Sequence, residues 1–336
     1  MQEYTSPLVS VIIPAYNAGR YIAESVGSVL KQTYAEVEVV CFNDASSDNT
    51  LEKLKELAES DKRIRIIDSK VNIKQGGGRN RALLAARGEY VMFLDADDSL
   101  APDAVETCIG FALRKGADMV MFDYERNSPS TGHKEPVCQL GKDAAYLGGD
   151  ELRLRIISRT SPVWSAMYKR SNLLDNKLFF PERVFYEDNA VAMAMQLSAL
   201  NPCKINRNLY LYRVDNISVS RSADNYRFFD RLESAKILME HLKRLGIYDK
   251  YADELDFVFL NQYYIHSIFG CVYRFSKVPM LRHRYICKTV RRYVRHPAEN
   301  PQYRALPLKM RLKIELHARF PRTMKTISNI KHTLLR

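Results

Sequence analysis

Across its first 125 residues the chain alternates between two hydrophobic periods. Short apolar or β-branched runs, LVSVIIPAY (8–16), VEVVCFND (37–44), RIRIID (63–68), YVMFLDAD (90–97) and ADMVMFDY (117–124), read as strands. Between them the apolar spacing predicts helices over 20–32, 49–60, 80–86 and 102–115. Strands separated by helices imply crossover connections and a mostly parallel sheet buried on both faces. Ligands of such sheets gather beyond the carboxyl ends of the strands, so the polar residues that end these runs are site candidates.

The pattern then changes. Residues 126–150, polar and punctuated by Gly and Pro, read as a long connection or lid. From 151 to 215 it is mixed: a helix over 151–158, the aromatic segment PVWSAMYKRSNLL, a helix from 187 and the strand NLYLYRV. After Asn225 nearly everything carries helical spacing, as in FFDRLESAKILMEHLKRLG (228–246). The expected organisation is an α/β region in two halves, 1–125 and 126–222, followed by a helical region, 223–336.

Composition adds three limits. The 336 residues suffice for one large domain or two ordinary ones. No apolar run nears the roughly 18 residues of a spanning helix, and MQEYTSPLV lacks the features of a secretory signal, which predicts a cytoplasmic protein. Six scattered cysteines without paired short spacing argue against a zinc site or a disulfide framework. Charge is the informative quantity. From Cys271 onward 17 Lys and Arg face two acids, a net +15, whereas the preceding 270 residues sum to −3. An anionic partner for the tail follows, and the near-neutral body offers no continuing track for nucleic acid.

The strand ends carry the chemistry. In YVMFLDADDSL (90–100) an extended Asp-Ala-Asp would aim Asp95 and Asp97 at one ligand, and hard oxygen donors there suit Mg²⁺ or Mn²⁺ with phosphate. Asp98 and Ser99 have a competing task, capping the helix that starts near Pro102. Tyr16 offers a ring for stacking, and Asn17 and Asp44 offer groups for a base edge or for plain turns. In KQGGGRN (74–80) the glycines would admit close backbone approach, and Arg79 at a helix start favours an anion.

In order, SVIIPAYN, FNDASSDNT, GGGRNRAL and GEYVMFLDADD resemble the family 2 glycosyltransferases of the GT-A fold, over about residues 8–125. The resemblance implies a Rossmann-like α/β domain that binds a nucleoside-diphosphate sugar, commonly a UDP-sugar, with Mn²⁺ or Mg²⁺. It implies that Pro14, Tyr16 and Asn17 line the nucleotide pocket and that Asp44 contacts the base. Arg79 and Asn80 would lie near ribose and phosphate. Asp97 would be the more direct metal ligand, with Asp95 closer to ribose or sugar.

The second half supplies FPERVFYEDNAVAMAM (180–195), where an acidic pair either serves a helix dipole or, as the resemblance implies, carries the catalytic base. Asp188 is then the base and Glu187 its support or an acceptor contact. Trp164 either stacks on an acceptor sugar or fills the core. The family's third metal ligand, a His, has no evident counterpart here. The basic tail reads as amphipathic helices broken by Pro297, Pro301, Pro307 and Pro321, suited to an anionic membrane surface. The expectation is an inverting glycosyltransferase on the inner face of the cell membrane, elongating a surface polysaccharide or lipooligosaccharide on a glycan or lipid-linked acceptor. The rival is a non-catalytic nucleotide-sugar-binding or membrane scaffold.

Overall fold

In the computed structural model, residues 6–159, 161–214, 224–294 and 296–334 are described, and the chain forms two compact units, Met1–Asn216 and Ile217–Arg336. The first unit runs β1 (Val9–Ala15), α1 (Ile22–Leu30), β2 (Val37–Asp44), α2 (Thr50–Ser60), β3 (Ile64–Ser69), α3 (Lys74–Ala85), β4 (Tyr90–Phe93), β5 (Ser99–Leu100) and α4 (Ala104–Lys115). It continues with β6 (Met119–Ser128), β7 (His133–Val137), α5 (Gly149–Ser158), β8 (Ala166–Lys169), α6 (Arg170–Asp175), α7 (Ala192–Leu197) and β9 (Pro202–Arg213).

The strands form one sheet in the order β3-β2-β1-β4-β8-β6-β9-β5, with β7 hairpinned onto β6. Pairing is parallel from β3 to β4 and mixed beyond, where β8 runs antiparallel to both β4 and β6 and β9 is parallel to β6. Every residue of β1 and β2 is buried, which explains their largely apolar runs, and the buried Ser10 hydroxyl donates to Glu38 of the neighbouring strand at 2.6 Å. The chain steps outward from β1 to β2 and β3, then returns to place β4 on the other side of β1. That reversal opens a crevice at the carboxyl ends of β1 and β4, where Tyr16, Asn17 and the acids after Phe93 lie.

Three expectations need correction. Residues 126–150 are not all connection: β6 extends to Ser128 and turns back as β7, because cross-strand pairs from Tyr124–Val137 to Ser128–His133 satisfy the polar backbone. Asp95–Asp98 is not extended. The Asp98 N–H closes a turn onto the Asp95 carbonyl at 3.0 Å, a turn that begins two residues past the end of β4. Ser99 does not open the following helix; it pairs with Leu211 in β5, and α4 begins only at Ala104.

The second unit is helical: α8 (Asp230–Arg244), α9 (Ala252–Phe259) continued through a π-helical stretch into α10 (His266–Tyr273), α11 (Met280–Thr289), α12 (Pro301–Arg304), α13 (Leu308–Arg319) and α14 (Pro321–Leu334). Pro301 and Pro321 occupy first helical positions, where their missing N–H is harmless. Leu232, Leu238, Leu242, Leu255, Phe259, Tyr263 and Ile268 make its core. No helix among the described residues is long and apolar enough to cross a membrane.

Candidate active site

The glycines before Arg79 have a different use from the one their sequence suggests. α3 already starts at Lys74, so Gly76, Gly77 and Gly78 lie inside the helix rather than in a loop ahead of it. Each costs a helix interior about 1 kcal/mol relative to Ala. What requires them is contact with protein. A Cβ at Gly76 would stand 2.7 Å from the Pro181 carbonyl oxygen and 3.1 Å from Cγ of Glu187; one at Gly78 would stand 2.9 Å from the Phe42 ring. At Gly76 α3 thus lies close against the 180–187 segment and at Gly78 against Phe42 of β2, and this close packing on two sides aims Arg79.

Arg79 is 3% exposed. One guanidinium nitrogen donates to Asp95 Oδ1 at 2.7 Å and another to Glu187 Oε1 at 2.7 Å, with the guanidinium carbon 5.2 Å from the centre of the Phe180 ring. Burial works against its charge, but Asp95, Glu187 and Asp188 more than offset it and hold the guanidinium firmly protonated. Gln75 Nε2 gives Asp95 Oδ1 a further bond at 2.8 Å. The carboxylate at the end of β4 and the acidic pair of the second half, far apart in sequence, therefore share one cation.

Tyr186, with φ +64°, turns the backbone into Glu187, a left-handed conformation that non-glycine residues adopt at a cost. Asp188 Oδ1 accepts the Asn189 N–H at 2.8 Å. Burial raises both carboxyls above their ordinary range, and Arg79 opposes it at each. Asp188 is thereby made a stronger base than a solvated aspartate while Arg79 keeps the pair ionisable.

The acid turn is tied from behind by β9. The Tyr210 hydroxyl accepts the Asp95 N–H at 3.1 Å and donates to Asp98 Oδ2 at 2.7 Å. The Arg213 N–H donates to Asp98 Oδ1 at 2.7 Å, and its Nε to the Asp97 carbonyl at 2.9 Å. Asp98, 3% exposed, is pushed up to about 8, first by burial and then by Asp95 and Asp97. It is an internal anchor of the turn, not the cap of α4. Asp95 and Asp97 remain half-buried at the crevice.

The remaining residues singled out in the sequence fall into two groups. Tyr16 is 54% exposed at the crevice. Asn17, at φ +50°, takes the Ser47 N–H at 2.8 Å and so joins the loops after β1 and β2. Asp44 is buried and accepts the Ile73 N–H at 2.7 Å, fixing the approach to α3. Pro14 is buried in β1. Asn80 is buried, and its amide bonds the Phe180 backbone in both directions at 2.8 Å. Trp164 is 8% exposed, stacked on Tyr210 at 4.1 Å and Tyr212 at 5.7 Å, with Tyr124 edge-on at 5.0 Å. Sequence reasoning missed Gln75 and Tyr210. The alternation Asn208, Tyr210, Tyr212 was the available sign that β9 turns two phenols to one side.

The two-half sheet, with its crevice at the reversal of strand order and carboxylates at the strand end, is of GT-A type. Residues 10–173 match glycosyl transferase family 2. The uncharacterized glycosyltransferase YibD of Escherichia coli is 32% identical over 226 residues, covering 66% of this chain and 65% of that relative. Glycosyltransferase GlyG of Streptococcus pneumoniae is 31% identical over 227 residues, 65% of this chain and 74% of the relative. The chain belongs to glycosyl transferase family 2. It spans just under two thirds of the E. coli protein's length, and it covers 33% of an E. coli chondroitin synthase to which it is 31% identical over 251 residues. The crystal structure of S. aureus TarS 1–349 in complex with UDP has the same fold, with a TM-score of 0.70 over 95% of this chain and 88% of that one, at 20% identity.

Proposed function

We propose that the chain is an inverting glycosyltransferase that moves a sugar from a UDP-sugar to a hydroxyl of a glycan or lipid-linked acceptor, in the synthesis of a cell-surface polysaccharide. The observation that carries this reading is the double grip of Arg79, which sets the Asp95 side of the crevice beside Glu187 and Asp188. Family membership and relatives named chondroitin synthase support polymer-building chemistry.

Asp188 takes the proton of the acceptor hydroxyl as its oxygen bonds to the anomeric carbon, and the bond from that carbon to the diphosphate breaks on the opposite face. One displacement inverts the centre, and the diphosphate leaves with the bonding pair. Glu187, held by Arg79, orients the base and contacts the acceptor. Tyr16 stacks on the nucleotide, and Asn17 and Asp44 set the loops around it.

Two half-buried carboxylates at a turn fit Mg²⁺ or Mn²⁺, which binds through one or two protein carboxylates and fills its shell with water and phosphate oxygens. Among the described residues no group of three His, Cys, Asp or Glu is gathered as a metal cluster. Asp97, with Asp95, would hold the ion, and a bound divalent cation supplies charge stabilisation to the departing diphosphate. The basic C-terminal region carries the protein to an anionic membrane surface on the cytoplasmic side.

The test is release of UDP across a panel of nucleotide sugars with Mn²⁺ and an oligosaccharide acceptor. One or a few donors should be consumed. Silence with every donor, in protein shown to be folded, overturns the reading.

A further inference from the structure

We propose that the outward face of α13 is a docking surface for an anionic lipid bilayer. The proposal rests on the reading that the basic C-terminal region meets a membrane, and it names the surface that does so.

The inner face of α13 is fixed. Ile314 is 1% exposed and His317 is fully buried, with its ring bonded to the Tyr273 hydroxyl and the Lys313 carbonyl, each at 2.7 Å. A helix so anchored in a water-facing unit should turn polar residues outward. α13 does not. Leu308, Leu312 and Leu316 recur every fourth position on the opposite side, 63%, 55% and 45% exposed, and Phe320 just past its end is 54% exposed. Side chains spaced by four form a continuous line. This helix thus shows large apolar side chains on its outward side among its charges as well as on its inner side, a departure from the simple amphipathic pattern expected of the tail.

The charges beside that line choose the partner. Lys309, Lys313, Arg319 and, at the start of α14, Arg322 are exposed around it, and the one acid, Glu315, is already paired with Arg319. Lys313 also lies 5.1 Å above the Phe269 ring. The whole segment from Cys271 carries +15. A nucleic acid would use the cations and leave four large apolar side chains in water. A second copy would bring two strongly basic regions together. A bilayer with anionic headgroups satisfies both features, taking the leucines into its interface and the cations at its surface.

The experiment is co-sedimentation of the full chain with vesicles of phosphatidylglycerol and phosphatidylcholine, compared with phosphatidylcholine alone, over a range of salt. The wild type should bind only the anionic vesicles, and less as salt rises. Leu308→Ser, Leu312→Ser and Leu316→Ser combined keep every charge and should weaken binding about tenfold or more, with UDP release and thermal unfolding unchanged. Leu312→Trp should shift its emission to the blue on mixing with the same vesicles, while Trp164, already buried, reports little. Wild-type binding by the triple-serine variant overturns the assignment of this face while leaving membrane association standing. Failure of the wild type to bind any anionic vesicle defeats the membrane reading itself. A change from dimer to monomer in the variant, with vesicle binding intact, would make the face a self-association surface and also overturn the proposal.

Discussion

Arg79 donates a 2.7 Å hydrogen bond to Glu187, a residue 108 positions later in the chain. Its second bond, to Asp95, makes the guanidinium the cation shared by both halves of the crevice. Removing one partner of a buried ion pair leaves the other charges uncompensated, at a cost of about 3–5 kcal/mol. Arg79→Met should therefore lower stability by that order in urea unfolding and abolish sugar transfer. Arg79→Lys keeps the charge but lacks the planar fork that reaches two carboxylates, so it should recover part of the stability and little of the rate. A fully active Arg79→Met would remove Arg79 from the site.

Asp188→Asn should cost about 10²–10⁴-fold in transfer, as expected when a general base is lost, while UDP still raises the melting temperature as in the wild type. The pH profile follows from the direction of the shift. Burial raises Asp188 and Arg79 opposes it, so the working carboxylate form appears only above the ordinary aspartate range. The rate should climb with pH through that raised value and then level off. Because Glu187 titrates beside it, the apparent value belongs to the pair. Near-normal turnover by the Asn variant would assign the base elsewhere.

What the sequence disclosed and what it hid divide along sequence distance. The run 37–44 is β2 to the residue, because a strand buried on both faces is written mainly in apolar and β-branched residues, and its one internal acid, Glu38, is bonded by Ser10 and by the Arg87 N–H. The strand-end rule likewise directed attention to Asp95 and Asp97. Asp98 could not be read locally: its partners are Tyr210, 112 positions away, and the Arg213 backbone, and they turn an apparent helix cap into a buried anchor. Gly76–Gly78 misled for the same reason. A glycine run looks the same whether backbone must approach a phosphate or, as here, the Pro181 carbonyl.

Asp97→Ala should remove the metal-dependent part of nucleotide binding. A ligand at a hundredfold excess over its Kd stabilises the folded state by about 2.7 kcal/mol, so UDP with Mn²⁺ should raise the wild-type melting temperature by several degrees. The variant should show no such gain, and EDTA should cancel it in the wild type. An equal gain in both proteins, or one indifferent to EDTA, would separate Asp97 from the cation.

Gly76 and Gly27 make a matched pair, since each lies within a helix and only one is pressed against another segment. A Cβ at Gly27 meets nothing within 4 Å, so Gly27→Ala should stabilise α1 by up to about 1 kcal/mol through helix propensity. At Gly76 the same methyl meets the Pro181 carbonyl oxygen at 2.7 Å, a backbone atom that cannot swing aside. Overpacking of this kind costs about 1–3 kcal/mol, more than the propensity returns. α3 can relieve the clash only by moving away from residues 180–187, which lengthens the bond from Arg79 to Glu187. Gly76→Ala should therefore lower the urea midpoint and the transfer rate together, whereas Gly27→Ala should raise the midpoint and leave the rate alone. If Gly76→Ala behaved like Gly27→Ala, the close approach of α3 would not be what sets Arg79 between its two carboxylates.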